Sequence, residues 1–99
     1  MKLREIAHSR TGDKGNTSNI SLIAYRAEDY SLLKETITAE KVKAWFADIV
    51  TGEVVRYELP AIGALNFVMY GALGGGVTRS LALDMHGKGL SSAILDMDI

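Results

Sequence analysis

The chain of 99 residues contains no cysteine. Disulfides, thiolate metal sites and cysteine nucleophiles are therefore excluded. Neither charge sign dominates: eleven lysines and arginines stand against twelve acids, for a formal net charge of -1. The basic excess of a nucleic-acid-binding face is missing, so no nucleic-acid partner is expected. There is no long hydrophobic run either. The longest mainly apolar stretch, residues 61–73, is too short and too broken by glycine to span a bilayer, and no membrane partner is expected. The opening MKLREIAHSR has no apolar segment behind its charges and does not read as a secretory signal, so the expected compartment is the cytoplasm. Histidine is scarce. His8 and His86 stand apart, with no His-x-His or carboxylate cluster beside either, so neither a metal site nor a cofactor is expected.

What remains is an ordinary soluble composition, 47% hydrophobic and 23% charged, enough for one domain over residues 1–99 with a single modest core. Lys2 to His8 reads as a short strand. Ser18 to Arg26 is a firmer one, in which Ile20, Leu22 and Ala24 alternate with Asn19, Ser21 and Ile23. Two helical stretches follow. Tyr30, Leu33 and Ile37 share one spacing, and Thr38 is an N-cap for a stronger helix with Val42, Trp45, Phe46 and Ile49 inward. Glu53 to Leu59 alternates as a strand that Pro60 ends. Ala61 to Leu73 reads as a buried helix broken by Gly74-Gly75-Gly76, and Ser80 to Asp84 as a further strand. A turn at His86-Gly87-Lys88-Gly89 and a short last element over Leu90 to Ile99 complete the chain. The order strand, strand, helix, strand, helix, strand suits a two-layer α+β sandwich. Its sheet would be largely antiparallel, with four to five strands and two main helices on one face.

Two stretches carry candidate chemistry. The first is AHSRTGDKGNTSN, residues 7–19, which reads as a long polar connection between the first two strands. Gly12 and Gly15 permit positive φ, so backbone amides there can form an anion-binding nest, with Arg10 and Lys14 adding charge and Asp13 orienting one of them or acting as a base. A plain turn would use the same Gly-Asp and Gly-Asn pairs. The spacing is not that of a phosphate-binding P-loop, because Asn16-Thr17 follows Gly15 where a Lys-Ser/Thr pair is required. The second stretch is Gly74-Gly75-Gly76-Val77-Thr78-Arg79. Its glycines allow close backbone approach, and Arg79 can clamp a carboxylate or phosphate. The alternative is a flexible connector with a surface arginine. His8, beside the polar stretch, is the candidate proton carrier; His86 sits in a glycine-rich turn. Glu58 reads best as an arginine partner, and Trp45 and Phe46 as core.

The stretches LREIAHSRTGDKGNTSNISLIA, RYELPAIGALNF and ALGGGVTRSLALDMHGKGLSSAILDM together resemble the small C-terminal domain of AtuA-type acyclic terpene utilisation proteins. HSRTGDKGNTSN, LNF and GGGVTRS occur in that order at compatible spacing, and the likeness covers nearly the whole chain. It implies a ferredoxin-like fold and a place in bacterial acyl-CoA breakdown. A free-standing chain of this kind implies a separate AtuA-core protein as partner. The resemblance carries over to His8–Asn19 and Gly74–Arg79 and hands over no catalytic mechanism. The leading expectation is an accessory subunit. His8 and Asp13 would handle protons, and Arg10, Gly12, Lys14, Gly15, Asn16, Asn19, Gly75 and Arg79 would face an acyl-CoA or another anionic small molecule. The alternatives are a small autonomous lyase, hydratase or isomerase at a homo-oligomer interface, and a non-catalytic oligomerisation module. A homo-oligomer is expected in any case, since a small domain gains from added burial.

Overall fold

A computed structural model describes residues 1–14, 17–47, 50, 52–71 and 93–99. Its centre is an antiparallel four-stranded sheet in the order β1-β2-β4-β3. The strands are β1 (Ala7–Lys14), β2 (Thr17–Ala24), β3 (Val54–Leu59) and β4 (Ala64–Tyr70). Helices α1 (Tyr30–Thr36) and α2 (Ala39–Trp45) both lie in the connection from β2 to β3. The α+β reading with two helices therefore holds. Among the described residues the element order is strand, strand, helix, helix, strand, strand. No helix of the described residues is long and apolar enough to cross a membrane.

Alternation decides which face of the sheet is covered. Ile20 and Leu22 of β2 and Leu65, Phe67 and Met69 of β4 are fully buried, and they form one cluster with Leu33 and Ile37 of the α1 end, Val42 of α2 and Phe46 at its C-cap. The residues between them point to the opposite side, where no helix packs among the described elements. Thr38 caps α2 as its sequence position requires, its hydroxyl accepting from the Lys41 amide at 3.1 Å.

Four expectations are corrected. The polar stretch after His8 is not a long loop. Arg10, Thr11, Gly12, Asp13 and Lys14 belong to β1, with Arg10 opposite Ser21, Gly12 opposite Asn19 and Lys14 opposite Thr17. Only residues 15 and 16 lie between the paired positions. Among the described strands β1 stands at one end of the order and is held by its backbone ladder to β2 rather than by apolar alternation, so its polar sequence resembles a turn. The strand read over Lys2–His8 begins instead as a 3-10 turn at Leu3–Glu5. There the backbone amides of Leu3 and Arg4 bond to the carbonyls of Met97 and Leu95, not to the sheet.

The helix expected over Ala61–Leu73 is strand β4. Pro60–Ile62 form a 3-10 turn, and Gly63, at φ 64°, takes the left-handed conformation that turns the chain back along β3. Short apolar runs do not separate strand from buried helix by periodicity, and here burial on the helix side combines with half-burial of Val68 on the other. Trp45 is the fourth correction. It is 43% exposed rather than in the core, and its indole N–H donates to the Ala93 carbonyl at 3.0 Å. As the last residue of α2 it lies at the rim, where its N–H reaches a partner.

The strand read over Ser80–Asp84, the triple-glycine stretch and the His86 turn lie outside the described residues. Residues 93–99 carry Ile94 and Met97 into the core, and an isolated bridge joins Asp98 to Lys2. The two ends of the chain are further tied by the Arg4–Asp96 ion pair.

Candidate functional site

The uncovered face of the sheet is assembled from every second residue of each strand. The register places Arg10, Ser21, Asn66 and Tyr57 side by side in one row across all four strands. The next row is Gly12, Asn19, Val68 and Val55. At about 4.8 Å per inter-strand step, Arg10 and Tyr57 stand roughly 14 Å apart at the two ends of the first row.

The middle of this face is a hydrogen-bonded polar group. The Asn66 side-chain amide donates to the Ser21 hydroxyl at 2.9 Å, with longer approaches to the Asn19 carbonyl oxygen at 3.4 Å and the Ile20 backbone carbonyl at 3.5 Å. Asn19 lies over Gly12: a Cβ at position 12 would stand 2.9 Å from its Nδ2. Gly12 thus leaves room for the Asn19 amide rather than supplying a special backbone conformation. Its φ is not positive and its backbone belongs to the ladder, so Gly12 adds no left-handed residue to a nest; Gly15 lies outside the described residues.

Arg10 is exposed at the edge of this group, and among the described residues it makes no ion pair or hydrogen bond. Among the described side chains of the four strands, no carboxylate occupies the same face. One uncompensated guanidinium beside amide and hydroxyl dipoles favours an anionic or carbonyl-rich group. Apolar surface frames it: Tyr57 is 50% exposed, with Leu59 and Tyr70 also exposed along the same side. A polar, hydrogen-bonding centre with an aromatic and aliphatic margin is the composition of a contact surface.

The other sequence-read residues fall as follows. His8 is one row from Arg10 and stacks on Tyr25, ring centroids 5.1 Å apart. No described carboxylate pairs with it. Asp13 is opposite Ser18 in the register, in the row of Met69 rather than that of Arg10, and Lys14 is opposite Thr17. The Ser18 hydroxyl, buried, donates to the Gly12 carbonyl at 3.1 Å. Gly15, Asn16, Gly75 and Arg79 lie outside the described residues, as does His86. The structure thus joins Arg10, Gly12 and Asn19, leaves Asp13 out of that group, and adds Ser21, Asn66 and Tyr57. The signal for the added residues was a lone asparagine inside the apolar run ALNFVMY and a serine between Ile20 and Leu22.

On the helix side, Arg56 is engaged structurally. Its Nη1 donates to the carbonyls of Lys34 at 2.7 Å and Ile37 at 2.9 Å, and its Nη2 to Glu58 at 3.1 Å. Glu58 is the arginine partner its position suggested. Among the described residues no group of three or more histidines and acids could hold a metal ion.

Comparison with known proteins gives one match. No curated protein and no solved structure matches the chain. A family model described as the AtuA ferredoxin-like domain matches residues 1–99, from one end to the other. The chain belongs to the AtuA ferredoxin-like domain family.

Proposed function

We propose that this chain is the small accessory subunit of an AtuA-type protein of acyl-CoA breakdown, and that the uncovered sheet face is where it meets its larger partner or an anionic group bound there. The observation that carries the reading is the row Arg10–Ser21–Asn66–Tyr57. It sets a cation without a counter-charge, a preorganised amide–hydroxyl pair and an exposed aromatic ring on one flat surface. In this reading Arg10 supplies charge to a phosphate or carboxylate, as in an acyl-CoA. Asn19, Asn66 and Ser21 hydrogen-bond to its polar atoms, and Tyr57, Leu59 and Tyr70 bury apolar area at the margin. By residue type, Lys14, Gly15, Asn16, Gly75 and Arg79 offer further chemistry suited to an anion.

Catalysis by the chain alone has less support. His8 contacts an aromatic ring and no described acid, and Asp13 is in a different row of the sheet from Arg10. Proton transfer belongs to the assembled complex. The test is co-purification of the chain with an AtuA-core protein, followed by turnover of acyl-CoA substrates by each chain separately and by the mixture. A stable complex with turnover only in the mixture supports the reading. Full turnover by this chain alone, or no complex at all, overturns it.

A further inference from the structure

The outer edge of β3 borders the uncovered face, with which it shares Tyr57 and Leu59, and presents backbone groups of its own. Among the described residues, β3 pairs with β4 on one side and no hydrogen bond is made to its other side. The Tyr70 amide donates to the Glu53 carbonyl. The antiparallel ladder then turns the amides of Val55, Tyr57 and Leu59 towards β4 and those of Val54, Arg56 and Glu58 outward. Over Val54–Leu59 the strand is regular, with no proline or glycine inside it; Pro60 follows only at its end. Exposed edges of this kind are normally blunted by charge, and here two charges are present on the helix side of the strand.

Their signs are opposite and they are two residues apart. We infer that β3 pairs antiparallel with β3 of a second copy of this chain, on a two-fold axis through Tyr57, to form a continuous eight-stranded sheet. In that register Tyr57 faces its own copy, Arg56 of each chain stands opposite Glu58 of the other, and Val55 stands opposite Leu59. A single inward charge at such an edge would repel a second copy. The Arg-Tyr-Glu order turns that repulsion into two cross-strand ion pairs. The register also agrees with the backbone: Arg56 and Glu58 are the positions whose amides are turned outward, so the pairing gives them hydrogen-bond partners. On the opposite side the two Tyr57 rings, each 50% exposed, cover one another.

The absence of cysteine makes the test direct. Under mild oxidation, Tyr57→Cys is expected to form a disulfide-linked dimer, since facing positions in a non-hydrogen-bonded antiparallel pair have Cα atoms within disulfide reach. Ile62→Cys, on a residue 64% exposed, is the control and is expected to remain mostly unlinked. Sedimentation equilibrium of the unmodified chain is expected to show a dimer. Glu58→Lys, which sets like charges opposite one another twice per dimer, should weaken it about tenfold or more while leaving the far-ultraviolet circular dichroism unchanged. A strictly monomeric chain overturns the inference. So does a dimer in which Tyr57→Cys links no faster than Ile62→Cys, or one that Glu58→Lys leaves equally tight. None of these readouts involves the AtuA-core partner, so failure here and failure of the accessory reading are distinguishable.

Discussion

Replacing Arg56 by alanine tests how the helical layer is fixed to the sheet. Its guanidinium closes the C-terminal end of α1 by bonding two carbonyls, Lys34 and Ile37, through Nη1, and holds Glu58 through Nη2. The Arg56 side chain is 19% exposed, against 43% for Glu58. The three contacts are therefore unequal. The Ile37 carbonyl is in a partly buried setting, and leaving it without a donor costs about 1–3 kcal/mol. The Lys34 carbonyl is exposed and water replaces the lost donor, so its loss is about 0.5–1 kcal/mol. The pair with Glu58 is a surface contact, contributing about 0–1 kcal/mol. Arg56→Ala should lower the unfolding free energy by about 2–4 kcal/mol, which for a domain of this size lowers Tm by roughly 10–25 °C. Arg56→Lys restores charge but not the fork, and should recover only part of the loss. Glu58→Gln should cost no more than about 1 kcal/mol. Urea denaturation of the four proteins, followed by circular dichroism, measures all of this. A loss below about 1 kcal/mol for Arg56→Ala, or one equal to that of Glu58→Gln, refutes the claim that the carbonyl contacts anchor α1.

Two glycines should respond in opposite ways. Gly12→Ala pushes only the flexible end of Asn19, so its stability should stay within about 1 kcal/mol of the parent, yet it displaces Asn19 from the polar group and should weaken partner binding. Gly52→Ala drives its Cβ into the Tyr70 carbonyl oxygen that accepts the Gly52 amide, and should cost about 1–3 kcal/mol by urea titration. Thr38→Ala removes the α2 cap and should cost about 1 kcal/mol in the same assay. Trp45→Phe deletes the bond to Ala93, and amide hydrogen exchange over residues 93–99 should then accelerate about 2–10-fold, as expected for one hydrogen bond lost.

Much of the fold was legible where burial is one-sided. Ile20 and Leu22 alternate because β2 is central and, among the described elements, the helices pack on one of its faces. Val42 and Phe46 share a helical stripe, Thr38 marks the cap and Pro60 the stop, each for a local reason. β4 was misread because Phe67, Val68 and Met69 are all apolar. Phe67 and Met69 fill the core while Val68 lies among the side chains of the open face, so the period of two is blurred. β1 was misread for the opposite reason: Ser9, Arg10, Thr11 and Asp13 offer no apolar alternation, and only pairing with β2 makes them a strand. The polar group was half legible. Arg10, Gly12 and Asn19 come from one continuous stretch, whereas Ser21, Asn66 and Tyr57 join them only through the strand order β1-β2-β4-β3, which no local pattern reveals.

In the proposed role the uncovered face, not the helical layer, meets the partner. Calorimetric titration of an AtuA-core protein with this chain and three variants tests it most directly. Arg10→Ala and Asn66→Ala alter the uncovered face, and Lys43→Ala alters the exposed side of α2. Binding should weaken about tenfold or more for the first two and stay unchanged for the third. Binding that Lys43→Ala weakens and the two face variants leave intact would contradict it.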